Sequence, residues 1–181
     1  MGRLSDTSTP QNMMAVVSKP CRDSQKLLDK PNLFTVYGEA IQDPSNVGAI
    51  VRLAAAFGVD AVWLSPESAD PYNPKAVRAS AGTWFGVPIF TDVDLATLIG
   101  TGIQVYAADS SRATTTLLGS FTTRPPRLAL AFGSEGRGLS RELLHAAVQR
   151  YTIRTQQDIE SLNVASAAAI AMYHFRSLPV Q

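Results

Sequence analysis

Leu128-Ala129-Leu130-Ala131-Phe132-Gly133-Ser134-Glu135-Gly136-Arg137-Gly138-Leu139-Ser140 runs from an apolar stretch through a glycine-rich loop to a helix start. Residues 128–132 read as a buried strand, and Ser140 as the N-cap of a helix over residues 141–149. A strand leading through a short loop into a helix is the unit of a parallel sheet. In such sheets ligands sit beyond the carboxyl ends of the strands, where this loop falls. Its glycines let the backbone approach a ligand closely. The spacing is G-x-x-G-x-G, which is neither the dinucleotide-binding G-x-G-x-x-G nor a phosphate-binding loop ending in Gly-Lys-Ser/Thr. Glu135 within it repels pyrophosphate but suits a neutral or cationic ligand. A plain glycine turn joining strand to helix is the alternative reading.

The same alternation extends in both directions. Strands are expected at residues 33–37, 61–64, 103–107 and 151–154. Helices are expected at 46–57, 75–81, 95–99 and 163–175, with Gly58 as a C-terminal cap of the first. Strands separated by helices predict an α/β fold with a mostly parallel sheet and helices on both faces. Residues 1–32 differ: they are polar apart from Met13-Met14-Ala15-Val16-Val17, and read as a linker entering a first strand, then a short helical or irregular segment near residues 25–30. The division is therefore 1–32 as linker and first strand region, and 33–181 as the catalytic domain.

Composition narrows the classes. The chain has 181 residues, 45% hydrophobic and 17% charged, which suits one α/β domain. No apolar stretch is long enough to cross a bilayer, and the N-terminus lacks a secretory signal. One cysteine, Cys21, makes no internal disulfide, which favours the cytoplasm. Neither His145 nor His174 has a second ligand at metal spacing, so no metal is expected. Net charge is only +1, so bound nucleic acid requires a local basic patch or another domain.

Two further clusters carry potential chemistry. Asp43-Pro44-Ser45-Asn46-Val47-Gly48-Ala49-Ile50-Val51-Arg52 opens a helix, with Ser45 or Asn46 as its cap and Arg52 nearly two turns on. Arg52 either snorkels to solvent or grips a phosphate, oriented by Asn46. A third polar stretch, residues 153–163, meets the N-terminus of an Ala-rich helix at Ser161-Leu162-Asn163. Unpaired backbone donors gather there, and Ser161 or Asn163 is a candidate N-cap. The small side chains of that helix permit close helix contact within the fold or across a dimer.

Together and in order, these clusters resemble the three motifs of the SpoU/TrmH family of RNA ribose methyltransferases, within the SPOUT superfamily. The match is to N-V-G-x-I-x-R, then G-S-E-G-x-G-L-S, then E-S-L-N-V-A, and it covers roughly residues 33–175. Asn73-Pro74-Lys75-Ala76-Val77-Arg78-Ala79-Ser80-Ala81-Gly82 and Val87-Pro88-Ile89 are also similar to the family. The resemblance implies a C-terminal segment threaded as a deep trefoil knot, which general topological rules would not predict. It further implies bound S-adenosylmethionine, a homodimer, and transfer of methyl to a ribose 2′-hydroxyl in RNA. Catalytic-site residues would be Asn46, Arg52, Glu135, Ser161 and Asn163. Gly133, Ser134, Glu135, Gly138, Ile153 and Leu162 would hold the cofactor.

Where relatives read I-P-M-x-G, this chain has Arg154, Thr155 and Gln157 in place of Pro, Met and Gly. Many rRNA-modifying relatives also carry an N-terminal RNA-binding domain, joined by a segment similar to residues 7–12, so a trimmed form of a longer chain is expected. Ribosomal RNA is the favoured substrate, with tRNA as the alternative. An RNA-binding module with weak or lost catalysis is a further alternative, and the missing G-x-G-x-x-G argues against a nucleotide-dependent oxidoreductase.

Overall fold

The computed structural model describes residues 15–111, 115–156 and 161–181. Seven strands form one sheet in the order β3-β2-β1-β6-β4-β7-β5, with every neighbouring pair parallel. They are β1 (Leu33–Gly38), β2 (Ala61–Leu64), β3 (Ile89–Phe90), β4 (Gln104–Ala108), β5 (Thr116–Leu117), β6 (Arg127–Phe132) and β7 (Gln149–Thr152). The helices are α1 (Ser24–Leu28), α2 (Pro44–Ala56), α3 (Pro74–Ala79), α4 (Leu95–Gly100), α5 (Arg141–Ala146) and α6 (Val164–Ser177).

The pleat sends alternate residues to opposite faces, and both faces are covered. Phe34, Val36, Leu128, Leu130 and Phe132 pack with Val47, Ile50 and Val51 of α2 and Ala168, Met172 and Phe175 of α6. On the other face Leu33, Tyr37, Ala129 and Ala131 meet Leu27 of α1, Leu98 of α4 and Leu143 of α5. The α/β reading with helices on both faces is borne out. No helix among the described residues is long and apolar enough to cross a membrane.

Several local readings change. Ala15, Val16 and Val17 form no strand and are exposed, Val16 fully; Met13 and Met14 lie outside the described residues. The first helix starts at Pro44, and neither Ser45 nor Asn46 caps it. Asp43 does, accepting from the Ser45 N–H, with proline's fixed φ suited to the first helical position. Helix α5 stops at Ala146 rather than 149, and Gln149 belongs to β7, whose pairing with β4 claims the segment. Ser140 caps α5 as expected, accepting from the Leu143 N–H at 3.1 Å. Gly58, at φ +62, follows α2 as expected.

Candidate methyl-transfer site

A cleft of about 460 Å³ opens beyond the carboxyl ends of the adjacent strands β6, β4 and β7. Its walls are the 133–139 loop after β6, Ala108 at the end of β4 with Asp109 beyond it, Ile153 and Thr155 after β7, and Ser161, Leu162 and Val164 before and within α6. This is where a parallel sheet places a ligand.

The loop after β6 is a tight turn. Gly138 N–H donates to the Ser134 carbonyl at 2.9 Å, and Ser134 and Gly138 form an isolated antiparallel bridge. A Cβ on Gly133 would lie 2.2 Å from the Gly138 carbonyl carbon and oxygen. Gly138 takes φ +65, a conformation costly for other residues. The loop is fastened at its far end by Glu39, just past β1. The Glu39 carboxylate accepts from both the Ser140 N–H and the Ser140 hydroxyl, each at 2.7 Å. Two oxygens on two donors of one residue hold the loop's exit to the end of the neighbouring strand β1.

The three motifs converge at the rim of this cleft. Asn46, in the first turns of α2, donates through Nδ2 to the Glu135 carboxylate. Its Oδ1 accepts from Asn163 Nδ2 at 3.2 Å. Asn163 is at once the N-cap of α6, accepting from the Ala165 and Ser166 N–H groups. The capping reading of Asn163 is therefore correct, and capping leaves its amide free to join the network. Ser161 lines the cleft without capping the helix.

Gly133, Ser134, Glu135, Gly138, Ile153, Ser161 and Leu162 all line the cleft. Asn46 and Asn163 join that lining through Glu135, whereas Arg52 neither lines the cleft nor joins the network. It is exposed, and has no hydrogen bond or ion pair among the described residues. Asn46 does not hold it: both ends of the Asn46 amide are engaged by Glu135 and Asn163. Six residues separate the two, about 9 Å along the helix axis.

Sequence reasoning passed over Glu39, Asp109 and Tyr151. Asp109 borders the cleft and takes both Nε and Nη2 of Arg150 on one oxygen. Its other oxygen accepts from the Ser111 N–H at 2.9 Å. A carboxylate just past a strand end, as at Glu39 and Asp109, is the signal that would have found both. The Tyr151 hydroxyl is fully buried with no hydrogen-bond partner among the described residues, and burial raises its pKa. Among the described residues no group of three His, Cys, Asp or Glu is placed to hold a metal ion.

Known proteins resemble this chain in sequence and fold. The family model of the SpoU rRNA Methylase family matches residues 33–173. The 23S rRNA (guanosine(2553)-2'-O)-methyltransferase RlmP of Bacillus subtilis is 34% identical over 181 residues, 96% of this chain and 68% of its own length. An uncharacterized tRNA/rRNA methyltransferase of Synechocystis is 38% identical over 142 residues, covering 76% of this chain. The chain spans only 51% of that relative's length. The AdoMet-bound rRNA methyltransferase from Sinorhizobium meliloti superposes with a TM-score of 0.74 at 28% identity, covering 82% of this chain and 58% of that one. A family match across the sheet, the glycine loop and the N-terminus of α6 settles the assignment: the chain belongs to the SpoU rRNA methylase family.

Proposed function

We propose that this chain transfers methyl from S-adenosylmethionine to a ribose 2′-hydroxyl in RNA. The observation that carries the reading is the Glu135–Asn46–Asn163 network, which ties all three motifs together at the rim of the cleft. The cleft suits the cofactor. Gly133 leaves backbone exposed where any side chain would collide, and the Glu135 carboxylate suits a cationic ligand. Gly133, Ser134, Gly138, Ile153 and Leu162 would hold S-adenosylmethionine, which supplies an activated methyl on a sulfonium.

The protein's own work is positional. Asn163 fixes the start of α6 and aligns Asn46, and Asn46 holds the Glu135 carboxylate at the cleft rim. Ser161 presents a hydroxyl to the same space. Arg52 does not act as a base, because a guanidinium keeps its proton below about pH 12. It holds the phosphate beside the target ribose and polarises the hydroxyl, while phosphate or solvent accepts the proton. Its exposure and its lack of a partner among the described residues support that role.

Ribosomal RNA is the proposed substrate over tRNA, supported by the family and by the RlmP likeness. A homodimer in the cytoplasm completes the proposal, with the trefoil knot implied by the resemblance. Exposed Ile170 and Tyr173 on the Ala-rich α6 support the dimer. The proposed division is residues 1–32 as a linker region, whose α1 docks Leu27 into the core, and 33–181 as the catalytic domain. The departure at Thr155, which lines the cleft, favours one second reading: an RNA-binding module with weak catalysis.

Calorimetry with S-adenosylmethionine and with NAD tests the cofactor. Transfer of labelled methyl to rRNA and tRNA transcripts, followed by mapping of ribose methylation, tests the reaction. Binding without transfer to either transcript favours the second reading. Absence of S-adenosylmethionine binding overturns both the cofactor and the reaction.

A further inference from the structure

The junction of α2 and α3 carries a surface that the cleft does not use. Gly48 meets α3 so closely that a Cβ there would lie 2.2 Å from the Ala76 carbonyl oxygen and 2.7 Å from Ala79 Cβ. Arg52 follows one turn later on the same face of α2. Helix α2 also meets the turn that follows α3. In that turn Ala81 takes φ +50, and Gly82 φ +82, before a 3-10 turn at Thr83–Phe85. A non-glycine residue in the left-handed region costs energy and marks a constrained turn.

The turn holds Phe85 out. Trp84 is buried, donates to the Pro71 carbonyl at 3.2 Å, and packs edge-on against both Tyr72 and Phe85. Phe85 itself keeps 52% of its surface exposed and belongs to neither core cluster. Its ring meets Trp84 at a T-shaped contact and leaves about half of the residue to solvent. From the other side Arg22 donates to the Phe85 carbonyl at 2.7 Å. Residues 44–56 and 74–85 contain Arg52, Lys75 and Arg78 and no carboxylate, and Lys75 is paired with Asp43 just before them. That concentration stands out in a chain of net charge +1.

We infer that this surface receives unpaired RNA next to the target ribose, with one base stacked on Phe85 and flanking phosphates on Arg52 and Arg78. The inference rests on the RNA methyl-transfer reading above. An open aromatic face among cations is how proteins hold single-stranded nucleic acid, because every base has a stackable face. A duplex hides its base faces, so Phe85 discriminates in favour of unpaired strands. Lys75 of α3 pairs with Asp43 at the start of α2, so the two helices begin together, and the surface continues from the rim at Asn46.

The test uses the full chain and two fluorescein-labelled probes, a single-stranded oligoribonucleotide of mixed sequence and a blunt RNA duplex. Phe85→Leu, which keeps apolar bulk but no ring face, should weaken binding of the single strand about tenfold. Phe85→Ala should weaken it similarly, and Arg78→Ala should weaken it and flatten its salt dependence. Phe85→Trp should retain affinity, and its fluorescence should be quenched by the single strand alone. Binding of S-adenosylmethionine and of the duplex should be unchanged in the Phe85 variants. Wild-type affinity in Phe85→Leu, an unquenched Phe85→Trp, or equal loss for duplex and single strand would overturn the inference. If the wild type binds no S-adenosylmethionine while the Phe85 dependence persists, the methyl-transfer reading fails and the surface stands.

Discussion

Asn46 donates its side-chain amide hydrogen to the carboxylate of Glu135, joining residues 89 positions apart in the chain. The bond crosses from the first turns of α2 to the loop after β6, and the other end of the same amide accepts from Asn163. Only an amide serves here, since one end must donate and the other accept. Asn46→Asp is nearly isosteric but sets a second carboxylate against Glu135. Single-turnover methyl transfer should fall about a hundredfold, with folding retained. Restoration of the rate in the double variant Asn46→Asp, Glu135→Gln would identify charge repulsion as the cause. An active Asn46→Asp single variant would remove Glu135 from the proposed mechanism.

Gly133 and Gly136 sit in one loop yet make opposite predictions. A Cβ on Gly133 would meet the Gly138 carbonyl at 2.2 Å, whereas one on Gly136 would meet nothing within 4 Å. Backbone, unlike a side-chain end, has little room to yield. Gly133→Ala should lower the thermal midpoint and weaken S-adenosylmethionine binding at least about tenfold by calorimetry, consistent with the cost of overpacking. Gly136→Ala should alter neither by much. Equal behaviour of the two variants would show that the loop's tight closure does not shape the cofactor site.

Much of this architecture is legible in the sequence, and the failures have physical causes. The spans of β2 and β6 and the caps at Ser140 and Gly58 follow from local chemistry: apolar runs between turn residues, a hydroxyl before a helix, a glycine after one. The two-residue strands β3 and β5 leave no periodic trace, because pairing rather than pattern makes them strands. Residues 141–149 read as one helix, yet the pairing of Gln149 with Tyr106 of β4 draws the end of that stretch into the sheet. The site was legible mainly through resemblance. Nothing in the spacing of Asn46, Glu135 and Asn163 announces that one amide links them. Glu39 escaped notice because its partner, Ser140, lies 101 residues away.

Asp43 ties α2 to α3 and gives stability a pH dependence. Its hydrogen bond from Lys75, then that from Ser45, holds its carboxyl well below the usual carboxylate range. A depressed folded-state pKa adds stability above that ordinary range, and the gain is lost as pH falls through the folded value. Asn is an equally good N-cap, so Asp43→Asn removes the charge while keeping the cap. In urea unfolding, the wild-type advantage over Asp43→Asn should be small, present near neutrality, and shrink below about pH 4. An advantage that persists undiminished in acid would show that the charge does not contribute.

The exposed apolar residues of α6 make the dimer testable. Tyr173 is 67% exposed and Ile170 42%, and Tyr173 leans edge-on against Phe57 at the end of α2. Ile170 and Tyr173 are three residues apart, hence neighbours on one helix face. Light scattering on the wild type should give twice the 19.4 kDa chain mass. Tyr173→Glu with Ile170→Glu should give the single-chain mass without loss of helical signal. A wild type that scatters as one chain at micromolar concentration would overturn the dimer.

Arg52 is where the functional and structural readings diverge most. It lies outside the Glu135–Asn46–Asn163 network, exposed on α2 and without a partner among the described residues. If it only snorkels, Arg52→Ala should cost little stability and little activity, as surface substitutions generally do. If it grips the phosphate beside the reacting ribose, folding and S-adenosylmethionine binding should survive while single-turnover transfer falls about a hundredfold or more. Arg52→Lys sharpens the distinction. Lysine keeps the charge but loses the planar two-pronged fork, so a phosphate gripped bidentately should be poorly held and little of the rate restored. Full rescue by lysine would reduce Arg52 to a diffuse electrostatic contribution. Near-wild-type transfer by Arg52→Ala would take the first motif's arginine out of the reaction altogether, leaving Asn46 as that motif's contribution to the site.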